Sequence, residues 1–420
     1  MVDSDELSTL ADACVHCGFC LPTCPTYRVW GQEMDSPRGR IQLIKFGLEG
    51  EPLLDSTATH IDRCLGCMAC VTACPSGVRY DKLITAKRSE MEDTYKRRWT
   101  ERLKRAMIFR LFPYPRRLRA ARVLLRLAQT LRLDAVARRV PGLSTMVTLA
   151  PRLGPRARLP RHIRPQGERR AVVGMLPGCV QREFFGEVNA ATARVLAAEG
   201  CEVVVPSEPI CCGALSLHSG RDIQAARLAR RTIEVFERHA VETVIVNVAG
   251  CGSSMKEYAD LLRDDPLWAD RAAAMASRVR DLTEFLDELG PVAERRRLDL
   301  DIAYHDACHL AHAQGVRTPP RRLLESIPGV TLSEIADGEV CCGSAGVYNL
   351  MRPDTARQLG DDKAANVLGT GAGLVVAANP GCTMQIATAL ERAGQPKPVA
   401  HIAEVLDAAI NGTPDARFTA

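Results

Sequence analysis

The sequence predicts a multidomain α+β protein: a compact α-helical N-terminal unit, then a duplicated α/β unit built on parallel sheets. Three observations predict it. Eight cysteines fall in two blocks of four before residue 90, short β-branched runs alternate with amphipathic helical patterns after Arg170, and that alternation occurs twice. The expected units are 1–90, a basic helical segment and linker at 91–170, and cysteine-rich repeats at 171–292 and 298–412. The 420 residues, 46% hydrophobic and 25% charged, have ordinary globular composition, which excludes disorder and collagen. No apolar run approaches the roughly 18 residues of a bilayer span, and the acidic start from Met1 to Glu6 lacks the basic-then-apolar order of a secretory signal. A cytoplasmic location is expected.

Seventeen cysteines exceed what packing requires, and an odd number argues against a complete disulfide framework, so metal or redox chemistry is the expected use. In the first unit the spacing is Cys14-x₂-Cys17-x₂-Cys20-x₃-Cys24-Pro25, repeated as Cys64-x₂-Cys67-x₂-Cys70-x₃-Cys74-Pro75. This is the spacing of bacterial two-cluster ferredoxins, so the unit is read as ferredoxin-like with two [4Fe-4S] clusters. Three thiolates at steps of three wrap one side of a cubane; the fourth lies too far along its own turn and ligates the other cluster. Cluster 1 takes Cys14, Cys17, Cys20 and Cys74, and cluster 2 takes Cys64, Cys67, Cys70 and Cys24. Zinc also accepts C-x₂-C pairs, but two zinc sites do not require two identical blocks each closed by Cys-Pro. Gly18 and Gly66 let backbone amides approach the clusters closely.

In the second unit, Leu118, Val123, Leu124 and Leu127 recur at helical spacing between Arg116 and Leu133, and the Pro, Gly and Arg run from Pro151 to Pro165 reads as an extended linker. From Lys96 to Arg170 there are 22 basic and 3 acidic residues, a net of +19, while the remainder nets −14. This field suits an anionic membrane surface or an acidic partner, and Trp99, Phe109, Phe112 and Tyr114 suit an interfacial position. Peripheral attachment to the inner face of the cytoplasmic membrane through 96–170 is therefore expected, and nucleic acid is not.

The repeats show strands at Ala171–Leu176, Glu202–Val205 and Thr243–Val248, then at Leu298–Tyr304, Thr331–Ile335 and Leu374–Ala378. Helical patterns occupy Arg182–Glu199, Ile223–Arg238, Thr318–Ser326 and Pro353–Leu368. Cys179, Cys211-Cys212-Gly213 and Cys251 correspond in order to Cys308, Cys341-Cys342-Gly343 and Cys382; only Cys201 falls outside the scheme. All eight follow strands, which places them at the carboxyl rim where open α/β sheets build sites. A further cluster or redox site, or a set of buried structural thiols, would account for them. Gly369 to Gly373 follows a helix and precedes a strand, the reverse of dinucleotide-binding order, so it reads as a helix stop.

The sequence resembles the iron-sulfur subunit of bacterial glycolate oxidase. The resemblance lies in Cys-Val-His-Cys-Gly-Phe-Cys from Cys14, Cys-Pro-Thr-Tyr from Cys24, Ser-Pro-Arg-Gly-Arg-Ile from Ser36 and Cys-Pro-Ser-Gly-Val-Arg-Tyr from Cys74. It continues in Tyr-His-Asp-Ala-Cys-His-Leu from Tyr304 and Cys-Cys-Gly-Ser-Ala-Gly from Cys341. It implies an electron-transfer subunit with no catalytic residue of its own: flavin (FAD) partner subunits oxidise glycolate to glyoxylate, and electrons pass outward to quinone. A D-lactate or anaerobic glycerol-3-phosphate dehydrogenase would use the same module. The repeats also resemble heterodisulfide reductase, but its doubled final cysteine is replaced here by Ser254 and Gln385. Beside Cys308, His305 and His309 are candidates for a quinone or proton site, with His309 and His312 at i, i+3 able to face one pocket.

Overall fold

The computed structural model describes residues 4–133, 144–154, 157, 159–413 and 415–418. Its N-terminal unit is helical. Ser4–Asp12, Pro37–Leu48, Asp55–Arg63 and Tyr80–Thr94 pack around Ile41, Ile44, Ile61, Leu83, Ile84 and Met91. The two cysteine blocks form the loops and short turns between these helices. The last helix carries the chain past residue 90, so the unit's outer wall extends into the basic segment.

That segment forms helices Trp99–Leu111 and Pro115–Thr130, the second opened by Pro115 at its first position, where the missing N–H costs nothing. Leu118 is buried as its spacing predicts, whereas Val123, Leu124 and Leu127 remain exposed. The start of the Pro, Gly and Arg run, 151–154, lies along the second helix, whose Arg122 donates to the Gly154 carbonyl at 2.7 Å while Gln129 bonds Pro151 and Leu153; residues 155, 156 and 158 of the run lie outside the described residues. Its end is not free linker: β1 (His162–Ile163) joins the first sheet.

Each repeat is an open sheet with helices on its faces. The first holds β2 (Ala171–Met175), β3 (Cys201–Val204), β4 (Thr243–Val246) and β5 (Val279–Asp281) in order β1-β3-β2-β4-β5, parallel except for β1. The second holds β6 (Leu300–His305), β7 (Val330–Glu334), β8 (Leu374–Ala377) and β9 (Val399–His401) in order β7-β6-β8-β9, all parallel. Thus both repeats place their strands 2-1-3-4, with the switch point between first and third strands. The six expected strands are present to within two residues at each end. Short β1, β5 and β9 carry too few residues to signal themselves by alternation.

One apolar core joins the repeats, running from Val173 and Leu196 through to Val376 and Leu406. Helices Gly186–Ala198 and Ile402–Asn411 pack against each other, and Ala193, Val195 and Leu196 of the first and Ala403, Val405, Leu406 and Ala409 of the second belong to this core. The expected single helix from Arg182 to Glu199 is broken at Phe185. The glycine-rich stretch stops helix Pro353–Gly369, with Gly371 at φ 77° ahead of β8.

Candidate functional site

The N-terminal thiols form two groups. Cys14, Cys17, Cys20 and Cys74 line one small cavity of about 30 Å³, with Cys70 on its inner wall; Cys17 is exposed. Cys74 thus stands with the first block. Cys24, Cys64, Cys67 and Cys70 are all buried, and Cys24 stands with the second block. None of the seventeen cysteines is in a disulfide.

The second group rests on a buried ionic network. Ser36 caps helix Pro37–Leu48 by accepting from the Gly39 amide at 3.0 Å. A Cβ at Gly39 would stand 2.0 Å from the Glu33 carbonyl oxygen, so only glycine lets the Glu33–Asp35 turn fold back against the helix. Asp35, 0% exposed, then meets Arg40, His60 and Arg63 at 3.4, 2.8 and 2.8 Å. Arg40, 1% exposed, also donates to Thr26 Oγ1, which lies 3.3 Å from Cys24 Sγ. Burial pushes the Cys64 thiol up, but the Arg40 and Arg88 guanidiniums, the Gly66 amide and the Tyr80 hydroxyl outweigh it and hold it below its ordinary value. At Cys70, burial and then the neighbouring thiols push the thiol well up.

The cysteines of both repeats converge on a single cavity of about 280 Å³. Cys179, Cys211, Cys212 and Cys251 reach it from the first repeat, Cys308, Cys341 and Cys382 from the second, and Cys64 and Leu65 close it from the N-terminal unit. Cys179 and Cys211 stand 3.5 Å apart, Cys308 and Cys341 3.9 Å. Cys342 and His305 do not line the cavity but stand beside Cys382, which does; the ligand atoms of the three lie within 4.8 Å of one another. Cys201 is buried at the start of β3, away from the cavity, as its exclusion from the repeat scheme implies. Cys67 of the N-terminal unit packs in the same apolar cluster as Cys308, Cys341 and Tyr348. Arg88 fixes this contact by donating to the Cys64 carbonyl and, at 2.9 Å, to the His218 carbonyl, while Tyr348 reaches the Arg63 carbonyl at 3.0 Å.

The histidines separate. His309 lines the cavity, with Cys308 Sγ 3.5 Å from Nδ1 and the His218 ring 4.8 Å away. Burial pulls the His309 imidazole down, but Cys308 and Glu257 carry it above its ordinary value; burial and His309 together hold His218 well below. Cys308 is held low by its hydrogen bond with Cys341, against burial, and by His309. His305 is 0% exposed and does not line the cavity. His312 does not share a pocket with His309: a π-helical turn over His309–Ala313 rotates it toward Thr72 and Arg317, each 3.1 Å away. Residues the sequence reading passed over include His218, Arg88 and Tyr348, whose roles depend on contacts across units. Arg40 was legible only as part of the Ser-Pro-Arg-Gly-Arg-Ile motif.

Comparison with known proteins agrees with this architecture. Residues 10–78 match the 4Fe-4S dicluster domain, 173–256 and 302–387 the cysteine-rich domain, and 100–153 the linker region of the glycolate oxidase iron-sulfur subunit. The chain is 38% identical over 416 residues to the probable glycolate oxidase iron-sulfur subunit of Bacillus subtilis (strain 168), covering 94% of this chain and 92% of that one. It is 38% identical over 393 residues to the glycolate oxidase iron-sulfur subunit of Escherichia coli (strain K12), covering 91% of each. Lactate utilization protein A of Bacillus subtilis (strain 168) is 34% identical over 236 residues, 56% of this chain and 98% of that one. The crystal structure of a hypothetical protein from Helicobacter pylori shares the fold, with a TM-score of 0.51 at 9% identity over 90% of this chain and 68% of that one. With the linker match joining two cysteine blocks to two cysteine-rich repeats along nearly the whole chain, the protein belongs to the glycolate oxidase iron-sulfur subunit family.

Proposed function

We propose that this chain passes electrons from flavin-containing subunits, which oxidise glycolate to glyoxylate, toward quinone. Two [4Fe-4S] clusters bound by the N-terminal unit supply one-electron transfer. Cys14, Cys17, Cys20 and Cys74 would hold one, and Cys64, Cys67, Cys70 and Cys24 the other. The observation that carries the reading is the packing of Cys67 against Cys308 and Cys341, which brings the inner thiol group to the wall of the cavity in the repeats. The thiols of that cavity are a further redox site on this reading. Glycolate oxidation releases two electrons and two protons, so clusters held by these thiols would supply one-electron transfer and a quinone acceptor would take up two protons on full reduction. His309, partnered with Cys308 and stacked near His218, is the group placed to hold such a proton.

The chain's own residues do the rest. Burial of Cys24, Cys64, Cys67 and Cys70 excludes water, the Gly66 amide donates to Cys64 Sγ at 3.3 Å, and Arg40 and Arg88 supply positive charge beside it. The basic helices would lie on the inner face of the cytoplasmic membrane, where Val123, Leu124, Leu127 and Leu131 stand exposed among arginines. No helix among the described residues is long and apolar enough to cross a membrane.

The test is anaerobic reconstitution with the flavin subunits. About eight irons per chain are expected of two cubane clusters, with glycolate producing the same EPR signals as dithionite. Signals that dithionite develops and glycolate with the flavin subunits does not would sink the reading.

A further inference from the structure

The two cysteine-rich repeats are not equivalent as metal sites. Their matching positions can be read from strand register: Met175 pairs with Ile245 as Tyr304 pairs with Val376, so the residue after each strand pair is Leu176 in the first repeat and His305 in the second. Leu176 is buried in an apolar cluster. His305 is 0% exposed, and among the described residues neither ring nitrogen has an oxygen or nitrogen partner; the group it interacts with is the Cys342 thiol. Buried ring nitrogens ordinarily pair with oxygen or nitrogen, so an imidazole left facing only sulfur calls for a physical reason. The contrast with His401 is direct: equally buried, it accepts from the Ala403 amide at Nδ1, 3.1 Å, and bonds the Asn247 carbonyl through Nε2, 2.9 Å.

What His305 does face is sulfur. Its ligand atom, Cys342 Sγ and Cys382 Sγ lie within 4.8 Å of one another, all three residues buried. Around one tetrahedral ion at ordinary metal–sulfur and metal–nitrogen distances, donors stand roughly 3.4–3.8 Å apart, so a contraction of about 1 Å closes the site. Asn379 Nδ2 lies 3.5 Å from Cys382 Sγ, the kind of outer donor that orients a ligating thiolate. Gln385, at the position where a doubled cysteine would provide another thiolate, is occupied elsewhere: its amide donates to the Ala356 carbonyl at 2.7 Å and accepts from Asn349 at 3.3 Å.

We propose that the second repeat binds metal through a mixed imidazole and thiolate set in which His305 is a direct ligand with Cys342 and Cys382, whereas the first repeat has Leu176 at the matching position and no imidazole there. Cys308 and Cys341 are the next thiols available to complete the coordination. The ligand is a metal that accepts both donors, either a zinc ion or iron of an iron-sulfur centre. The inference rests on the reading that the repeats hold a metal centre, and is independent of glycolate as substrate. It reassigns His305 from the quinone and proton role, leaving that role to His309.

The experiment measures iron, zinc and labile sulfide per chain in anaerobically purified full-length protein and in the His305→Leu and His305→Cys variants. Leucine already occupies the matching position in the first repeat, so His305→Leu introduces a side chain that this register accommodates. The first shell of any metal beyond the N-terminal clusters is read by X-ray absorption at the zinc edge, or by nitrogen hyperfine coupling in EPR if the excess is iron. The proposal expects an excess metal with a nitrogen ligand in the wild type, an all-sulfur shell in His305→Cys, and at least a tenfold loss of the excess metal in His305→Leu. Zinc identifies a single ion; iron with additional labile sulfide identifies a cluster. No metal beyond about eight irons in the wild type, or an unchanged first shell in His305→Leu, overturns it. Absence of the eight irons themselves would instead count against the electron-transfer reading.

Discussion

At the scale of single residues, the Ser-Pro-Arg-Gly-Arg-Ile motif acquires a mechanical meaning. Ser36 and Pro37 start the helix, Gly39 permits the turn behind it, and Arg40 is thereby buried between Asp35 and the inner thiols. A buried cation beside Cys64 favours the more negative, reduced state of whatever the thiolates hold. Arg40→Met removes that charge and leaves Asp35 facing His60 and Arg63 only. Breaking one partner from a buried ion network costs about 3–5 kcal/mol, so the melting temperature should fall. In the protein that still folds, redox titration by EPR should show the midpoint of one N-terminal cluster shifted downward and the other unmoved. An unaltered pair of midpoints would show that Arg40 serves packing alone.

At the scale of elements, the duplication extends to how the last helix of each repeat begins. Asp281 and His401 occupy matching ends of β5 and β9, and each forms a capping box with a glutamate three residues on, Glu284 and Glu404. Their protonation works in opposite senses. Burial lowers the His401 imidazole to about 4, so the folded protein keeps it neutral while the unfolded chain takes up a proton near 6.5. Its contribution is present above about pH 6.5 and is lost as pH falls toward 4, roughly 3 kcal/mol in all. Burial raises the Asp281 carboxyl to about 6, above its unfolded value of 3.8, so its contribution is present at low pH and is lost as pH rises through 6. His401→Asn keeps a cap and removes the titration. Melting temperature should drop less between pH 7 and pH 5 in this variant than in the wild type; equal drops would refute the assignment.

At the scale of the whole molecule, charge and apolar exposure coincide. The basic segment carries a net +19 from Lys96 to Arg170, and its second helix exposes Val123, Leu124 and Leu127, with Leu131 exposed just past its end. An interfacial helix gains from both terms, so changing one apolar residue should weaken binding without changing the charge response. Leu127→Gln should reduce sedimentation with vesicles rich in anionic lipid several-fold, and raised salt should reduce it further. Binding to neither kind of vesicle would remove membrane docking and leave a partner subunit as the surface's counterpart, whereas equal binding to neutral and anionic vesicles would remove the charge contribution alone. The same scale governs communication between units: Arg88 spans from the Cys64 carbonyl to the His218 carbonyl, and a Cβ at Gly220 would stand 2.2 Å from the Arg88 carbonyl oxygen. That close approach lets the N-terminal unit seal one side of the shared cavity.

Much of this was legible along the chain. The two Cys-Pro blocks specified the ligand chemistry because cluster ligation depends on short, local spacing, and the six longer strands announced themselves through near-continuous β-branched runs. The order of cysteines exposed the duplication, and strand ends placed those cysteines at a rim. Tertiary structure alone decided that the two rims share one cavity, that Cys67 abuts it, and that His305 and His309 part company although only four residues separate them. It also turned Leu124 and Leu127, apolar at helical spacing, toward solvent instead of a core. The physical reason is range. Helical periodicity, capping and ligand spacing are set by neighbours within a few residues, whereas burial, cavity walls and the environment of an imidazole are set by contacts between segments far apart in sequence, whose meeting no local pattern encodes.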